Sequence, residues 1–107
     1  MIEIQIFETL EGKRPFEDWF ESIDRHAKRR VQVALDRLEA GNTSNLKGLG
    51  GGISELKISF GAGYRVYLAQ QGKTIVILLN GGTKKRQSDD IAEAKSLWAI
   101  HQKHNKT

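Results

Sequence analysis

Apolar and polar residues alternate at the start of the chain and again in three runs of its second half. Isoleucines at positions 2, 4 and 6 alternate with Glu3 and Gln5, which predicts a strand with one buried face. The later strand-like runs are residues 53–60, 64–70 and 73–80. Their breaks, at residues 61–63 and 71–72, are short enough for hairpins, so these three strands are expected to pair antiparallel.

Two helices are predicted between the first strand and those runs. Apolar residues recur every three or four positions from Phe16 to Ile23, which is the spacing of one helical face. Pro15 suits the first turn of that helix because its missing N–H has no partner there. Asp24 is expected to cap a second helix, which ends at Gly41 because glycine tolerates the left-handed cap conformation.

The remaining segments complete a small α+β fold. Residues 42–52 are expected to be a loop, and the glycines at 81–82 are expected to end the last strand. Ser88, followed by two aspartates, predicts the start of a final helix. Its tail, about residues 102–107, is expected to fray. The order is β-α-α-β-β-β-α, with a mostly antiparallel four-stranded sheet packed against helices in a single domain, residues 1–107.

Composition narrows the class of protein. A chain of 107 residues has room for one domain, and it has no cysteine, which excludes disulfides and cysteine nucleophiles. No apolar run approaches the roughly 20 residues of a membrane span, so a cytoplasmic protein without membrane contact is expected. The net charge of +4 fits an anionic partner, either nucleic acid or an acidic protein, but it fits equally well a protein that is basic without such a partner. The histidines at positions 101 and 104 lack a cluster that would complete a metal site, so no metal or cofactor is expected.

The first predicted hairpin, residues 53–60 and 64–70, brings several polar side chains together in a candidate site. With a three-residue loop, Ser59 faces Arg65 and Lys57 faces Tyr67, so Lys57 and Arg65 are diagonal neighbours roughly 7–8 Å apart. Because side chains alternate across a strand, these four residues and Glu55 are expected to point away from the helices. Two cations and a phenol would then converge on one spot about the width of a phosphate.

A second basic segment follows the last strand. Residues 83–87, Thr-Lys-Lys-Arg-Gln, should lie near Arg65 and complete a phosphate-binding concavity. The alternative is that this segment is a solvated loop and that Lys57 and Arg65 pair with Glu55 or Asp89. Spacing alone does not decide between the two interpretations.

The second predicted helix is also strongly basic. Arg29 and Arg30 are candidates for contacts to an RNA backbone. The alternative, a solvated helix face on which arginines alternate with Asp24, Asp36 and Glu39, explains the same composition.

Four segments together resemble a known protein family. They are GISELKI at 52–58, GAGYRVY at 61–67, ILLNGGTKKRQ at 77–87, and Asp90-Ile91 with Ala94. This pattern is similar to the phage-derived addiction-module killer proteins of the RelE/ParE/HigB-like toxin superfamily. The resemblance covers essentially the whole chain and is most specific from 52 to 98.

The resemblance implies a toxin of a type II toxin–antitoxin system. Its expected activity is that of an mRNA interferase, a metal-independent endoribonuclease that cuts mRNA, usually on the ribosome, and needs no cofactor. The ribose 2′-OH attacks the adjacent phosphate and leaves a 2′,3′-cyclic phosphate. The expected partners are a helix-turn-helix antitoxin encoded by the adjacent gene and the mRNA.

The same resemblance implies roles for individual residues. Arg65 would contact the scissile phosphate, with Lys57 as a second cation. Lys84 and Lys85 would come from the Gly-Gly-x-Lys motif, and Tyr67 would stack on a base or transfer a proton. Further RNA-binding candidates are Arg86, Gln87, Ser59, Arg29 and Arg30.

Two departures from the family pattern keep other functions open. Many relatives have arginine where Lys57 stands, and lysine gives a point charge instead of a bidentate fork. No histidine falls on the expected face. A ParE-like DNA gyrase inhibitor and an inactive binding module of the same fold therefore remain alternatives. The nuclease hypothesis depends on a free guanidinium at Arg65, and an internal ion pair with a carboxylate would remove that support.

Overall fold

The secondary structure follows the predicted order with one added strand. The structure, a computed structural model, describes residues 1–104. Its strands are β1 (Glu3–Ile6), β2 (Leu46–Gly50), β3 (Ile53–Ile58), β4 (Tyr64–Gln71) and β5 (Ile75–Thr83). Its helices are α1 (Pro15–Ser22), α2 (Arg25–Glu39) and α3 (Gln87–His104), and a 3₁₀ turn (Lys84–Arg86) joins β5 to α3.

Local sequence signals set the boundaries of the first two helices as predicted. Pro15 occupies the first turn of α1. The side chain of Asp24 caps α2 by accepting a hydrogen bond of 2.9 Å from the backbone N–H of Ala27. Gly41, just past the end of α2, has a φ of +100°, in the region that favours glycine.

The five strands form one mixed sheet in the order β1-β5-β4-β3-β2. β1 pairs with β5 in parallel, and the other neighbours are antiparallel. The α+β prediction is confirmed, but the sheet has five strands instead of four. The error lies in residues 42–52, because the predicted loop contains β2, which pairs with β3 at the sheet edge.

Strand register differs from the prediction in the hairpin of β3 and β4. In the β3–β4 hairpin Lys57 lies directly opposite Arg65, and Ile58 lies opposite Tyr64, so the loop has five residues, 59–63, instead of three. Ser59 therefore belongs to the loop and does not face Arg65.

The length of β5 also differs from the prediction. This strand continues through both predicted terminating glycines to Thr83. Gly81 is required there because a Cβ at this position would overlap the ring of Trp19, and a Cβ on Gly82 would overlap the carboxylate of Asp90.

α3 also begins and ends differently from the prediction. The 3₁₀ turn runs directly into it, so Ser88 lies inside the first turn and is not the N-cap. The helix extends to His104 and so includes residues 102–104 of the tail that is expected to fray. The rest of that predicted tail, residues 105–107, lies outside the described residues.

Helices cover both faces of the sheet. One apolar core lies on the face toward α1 and α2 and includes Phe16 and Val31. The second lies on the face toward α3 and includes Leu79 and Trp98. No helix within residues 1–104 is long and apolar enough to cross a membrane.

Candidate nucleic-acid interface

The guanidinium of Arg65 lies inside the protein in an ion pair with Glu55. Its Nε is 3.1 Å from Oε1 of Glu55, and the two side chains are 6% and 5% exposed. Nη1 of Arg65 donates a hydrogen bond of 2.7 Å to the backbone oxygen of Gly63. Nε2 of Gln87, at the start of α3, donates a hydrogen bond of 2.8 Å to the same Oε1 of Glu55. The expectation of a free guanidinium is therefore wrong, and the alternative pairing with Glu55 is confirmed.

Gln87 is partly buried, and its side chain points toward Glu55. Its amide links the start of α3 to β3 through Glu55, and its expected contact with RNA stays a prediction.

Tyr67 is completely buried between the sheet and α3. Burial, together with the negative charges of Glu55 and Asp90, raises the pKa of its phenol to about 12. Its phenolic oxygen has no hydrogen-bond partner among the described residues. The expectation that Tyr67 stacks on a base is therefore wrong, because a base cannot reach its ring. Proton transfer near neutral pH is also disfavoured by the raised pKa.

A polar cluster lies next to this tyrosine, around Asn80, which is opposite Tyr67 on β5, and sequence reasoning missed it. Nδ2 of Asn80 donates to the backbone oxygen of Asp90 at 3.1 Å and to Oε2 of Glu93 at 3.0 Å. Burial raises the pKa of the Asp90 carboxyl, and the charge of Arg86 opposes that rise. The available signal was Asn80 itself, an amide inside the otherwise apolar run of β5.

Four candidate cations remain exposed around the β3–β4 loop. Lys57 is exposed near the end of β3, and Lys84, Lys85 and Arg86 are exposed in the 3₁₀ turn. The backbone N–H of Lys84 donates to the oxygen of Ala62 at 3.4 Å, which holds this turn against the loop. The fold thus brings the two predicted basic segments to one end of the hairpin.

A groove between α2 and β3 collects further cations. Its volume is about 280 Å³, and its lining includes Arg30, Arg37, Lys57 and Ser59. We call it the cationic groove. None of its lining residues is acidic. The carbon at the centre of the Arg30 guanidinium lies 4.8 Å from the ring centre of Phe60, so a cation–π contact orients this side chain.

The two arginines predicted on α2 separate in the structure. Arg30 lines the cationic groove, whereas Arg29 is exposed outside its lining. Sequence reasoning missed Arg37 as part of the site. Arg37 follows Arg30 by seven residues, two helical turns, and that spacing was the available signal.

The cationic groove has the chemistry of a phosphate-backbone site. Guanidinium and ammonium groups donate to phosphate oxygens, and Asn42, Asn45 and Ser59 add neutral groups to its lining. Residues 1–104 hold no cluster of three or more side chains of the kind that ligates a metal.

Comparison with known proteins identifies relatives along most of the chain. The model of a family described as "Phage derived protein Gp49-like (DUF891)" matches residues 18–102. An uncharacterized protein of Haemophilus influenzae is 42% identical over 95 residues, which are 88% of this chain and 92% of that protein.

Proposed function

Because the chain belongs to the phage-derived Gp49-like family, we propose that it is the toxin of a type II toxin–antitoxin system and acts in the cytoplasm as an mRNA endonuclease. The proposal includes a RelE/ParE/HigB-like ancestry and a small helix-turn-helix antitoxin encoded by the adjacent gene. The Arg65–Glu55 ion pair removes the support that a free guanidinium would have given. The observation that carries the proposal is instead the cationic groove, whose lining includes Arg30, Arg37 and Lys57 and no carboxylate side chain.

The groove supplies binding and charge stabilisation for strand cleavage. A bond forms between the ribose 2′ oxygen and phosphorus, and the bond from phosphorus to the 5′ oxygen breaks. The products are a 2′,3′-cyclic phosphate and a 5′-hydroxyl. Negative charge builds on the phosphate oxygens in the transition state, and Lys57 with Lys84 and Lys85 at the hairpin end would stabilise it. The Arg65–Glu55 pair would fix the hairpin that presents Lys57.

The same lining explains why we expect cleavage to depend on the ribosome. It contains no histidine and no carboxylate, so it provides no general base near neutral pH. The proton of the 2′-OH would pass to an RNA oxygen, to water or to a ribosomal group, while the 5′ oxygen gains a proton. A positioned general base contributes about 10²–10⁴-fold in rate, and the substrate complex would have to compensate for its absence.

The Arg65–Glu55 ion pair favours a second candidate, a protein that binds without cutting. A guanidinium neutralised by a carboxylate contributes less to a transferring phosphate than a free one does. A gyrase inhibitor of the ParE type and an inactive binding module both fit this description.

Controlled expression of groove variants tests the proposal. Without antitoxin the wild-type chain should stop growth and leave transcripts with new 5′-hydroxyl ends. Arg30→Ala and Lys57→Ala together should restore growth and intact transcripts. Arg29→Ala is the control for position, because it removes one positive charge from the residue next to Arg30 but outside the groove, and it should remain toxic.

Other outcomes would identify the alternatives. Full toxicity of the Arg30→Ala/Lys57→Ala variant would show that the groove is not the site. Damaged chromosomes with intact transcripts would indicate a gyrase inhibitor. Normal growth with intact RNA and DNA in the wild type would indicate an inactive binding module.

A further inference from the structure

A second groove lies on the other side of α2 and has the opposite charge. It is formed by α1, α2 and β1 and has a volume of about 430 Å³. Apolar side chains such as Ile4 and Phe20 form its floor, and four carboxylates line it. They belong to Glu17, Glu21, Asp36 and Glu39, and no lysine or arginine among residues 1–104 is part of the lining. We call it the acidic groove.

Two of these carboxylates are partly neutralised from outside the groove. Arg14 approaches Glu17 at 3.0 Å, and Lys28 approaches Glu21 at 3.5 Å. Asp36 and Glu39 form no ion pair within residues 1–104, and the Asp36 carboxylate there accepts one neutral hydrogen bond, of 3.0 Å, from Nε2 of Gln32. The groove therefore retains negative charge in a chain whose net charge is +4.

The floor of the groove is an incompletely covered part of the core. β1 is the terminal strand of the sheet, so one of its edges has no neighbouring strand in the part of the chain that the structure describes. Ile4 and Ile6 pack against the core beneath α1 and α2 but are only partly buried. Apolar surface beside unpaired carboxylates suits a ligand that carries both apolar and positively charged groups.

From this combination we propose that the acidic groove binds a cationic amphipathic segment of the antitoxin. The apolar side chains of that segment would cover the floor, and its lysines or arginines would face Asp36 and Glu39. The identity of the partner depends on the proposed toxin function. RNA is disfavoured here because four carboxylates would repel its phosphates.

The position of the groove has a consequence for how the antitoxin acts. α2 presents Asp36 and Glu39 to the acidic groove, whereas it presents Arg30 and Arg37 to the cationic groove. An antitoxin segment seated in the acidic groove therefore leaves the cationic groove uncovered.

Charge-reversal variants test the surface directly. The purified product of the adjacent reading frame is titrated into the wild-type chain and into the Asp36→Lys/Glu39→Lys variant by calorimetry. Both positions are exposed near the carboxyl end of α2, where positive charge favours the helix. We expect the dissociation constant to rise roughly tenfold or more, because attraction at two contacts becomes repulsion. The neutral variant Asp36→Asn/Glu39→Gln should show a smaller loss in the same direction.

Asp18→Lys is the matched control, because Asp18 is exposed on α1 outside the groove and the change in charge per site is the same. It should bind within about twofold of the wild type, in the range expected for an exposed charge away from the interface. Circular dichroism of each variant confirms folding before titration.

The inference would be overturned by no complex with the wild type, by a complex unaffected by reversal at Asp36 and Glu39, or by equal loss from Asp18→Lys. If reversal at Asp36 and Glu39 abolished self-association of the chain and left antitoxin binding unchanged, the occupant would be a second copy of the chain. That result would also overturn the inference. Toxicity is measured separately, without antitoxin, so a failed toxin function and a failed binding surface give different results. The Asp36→Lys/Glu39→Lys variant should remain toxic and should not be rescued by the antitoxin.

Discussion

At the scale of single residues, burial decides which cations are available to a ligand. Arg65 and Lys57 are directly opposite on neighbouring strands, yet one is buried and the other exposed. A guanidinium withdrawn from water requires a compensating charge, and Glu55 supplies it. Lys57 keeps its charge in contact with solvent and is therefore the cation of this pair that RNA can reach.

The buried pair predicts a specific pattern of stabilities. Glu55→Gln should lower the free energy of unfolding by about 3–5 kcal/mol, because it leaves the Arg65 charge buried without its partner. The double variant Glu55→Leu/Arg65→Met should recover most of that loss, because both desolvation penalties disappear. Urea unfolding measures all three proteins. Glu17→Gln, which breaks an exposed pair with Arg14, is the control and should cost less than about 1 kcal/mol.

A loss in the double variant as large as that in Glu55→Gln would contradict this account. It would mean that the two side chains contribute through packing and not through their charges.

Tyr67 predicts a dependence of stability on alkaline pH. The pKa of its phenol is raised from 10.0 to about 12 in the folded chain, mainly by burial. Its contribution to stability is therefore fully present below pH 10 and is lost as the pH rises through about 12. The difference between these two pKa values corresponds to a loss of stability of about 2–3 kcal/mol. Chemical unfolding, measured at about every half pH unit between pH 9 and pH 12, follows this loss of stability.

The comparison that isolates Tyr67 is Tyr67→Phe, which removes the titrating hydroxyl. The wild type should lose more stability than Tyr67→Phe over this range, and Tyr64→Phe should behave like the wild type. Identical pH profiles for the wild type and Tyr67→Phe would show that the phenol is not buried in the folded chain.

At the scale of whole elements, α3 begins with two aspartates in different environments. Asp89 is exposed, whereas Asp90 is buried against Gly82 and one of its carboxylate oxygens has no hydrogen-bond partner in residues 1–104. Burial raises the pKa of Asp90, with Glu93 and Asp89 adding to the effect, so the folded state disfavours its charge. The contribution of Asp90 to stability is thus greatest below its ordinary pKa of 3.8 and falls as the pH rises through the folded value.

The different environments of Asp89 and Asp90 predict opposite effects from substitutions at these two positions. Asp90→Asn should raise the free energy of unfolding at pH 7, because it removes a disfavoured charge. Asp89→Asn should lower it by a few tenths of a kcal/mol, because a carboxylate in the first turn favours the helix. Thermal unfolding measures both, and the advantage of Asp90→Asn should shrink as the pH falls. A destabilised Asp90→Asn at neutral pH would show that the charge has a partner.

The sequence predicts those elements whose boundaries depend on local chemistry. Pro15, Asp24 and Gly41 act within one turn of the chain, and the helix limits they predict are confirmed. β2 was missed because its sequence, Leu-Lys-Gly-Leu-Gly, has little intrinsic strand preference and is held by pairing with β3. Pairing between distant segments is a tertiary effect that a local pattern does not contain.

The candidate site, too, was predicted where local sequence patterns determine it and missed where packing between distant segments does. Alternation along β3 and β4 correctly predicted that Glu55 and Arg65 share one face of the sheet. It did not predict their burial, because that depends on where α3 packs and on the inward turn of Gln87. The cationic groove depends on how α2 lies over β3, so Arg37 was missed as a member.

At the scale of the whole molecule, the net charge of +4 hides a division of charge by α2. The cationic groove lies on one side of this helix and the acidic groove on the other. An α-helix with its side chains is about 10 Å across, close to the distance over which 0.1 M salt screens a charge. Each groove should therefore respond to its own residues more than to the total charge.

Salt-dependent RNA binding separates local charge from total charge. For three groove cations on single-stranded RNA, the slope of log affinity against log salt should be about −2. Arg30→Ala should reduce its magnitude by about 0.7, because one phosphate contact is lost.

Asp36→Lys/Glu39→Lys raises the net charge from +4 to +8, since each substitution adds two positive charges. If local charge controls binding, this variant keeps the wild-type slope at and above 0.1 M salt, although it is far more basic than Arg30→Ala. If total charge controls binding, its affinity and slope both increase, and Arg30→Ala falls only slightly below the wild type. Fluorescence anisotropy with an unstructured RNA measures both variants, and a steeper slope for the acidic-groove variant would contradict the division of charge by α2.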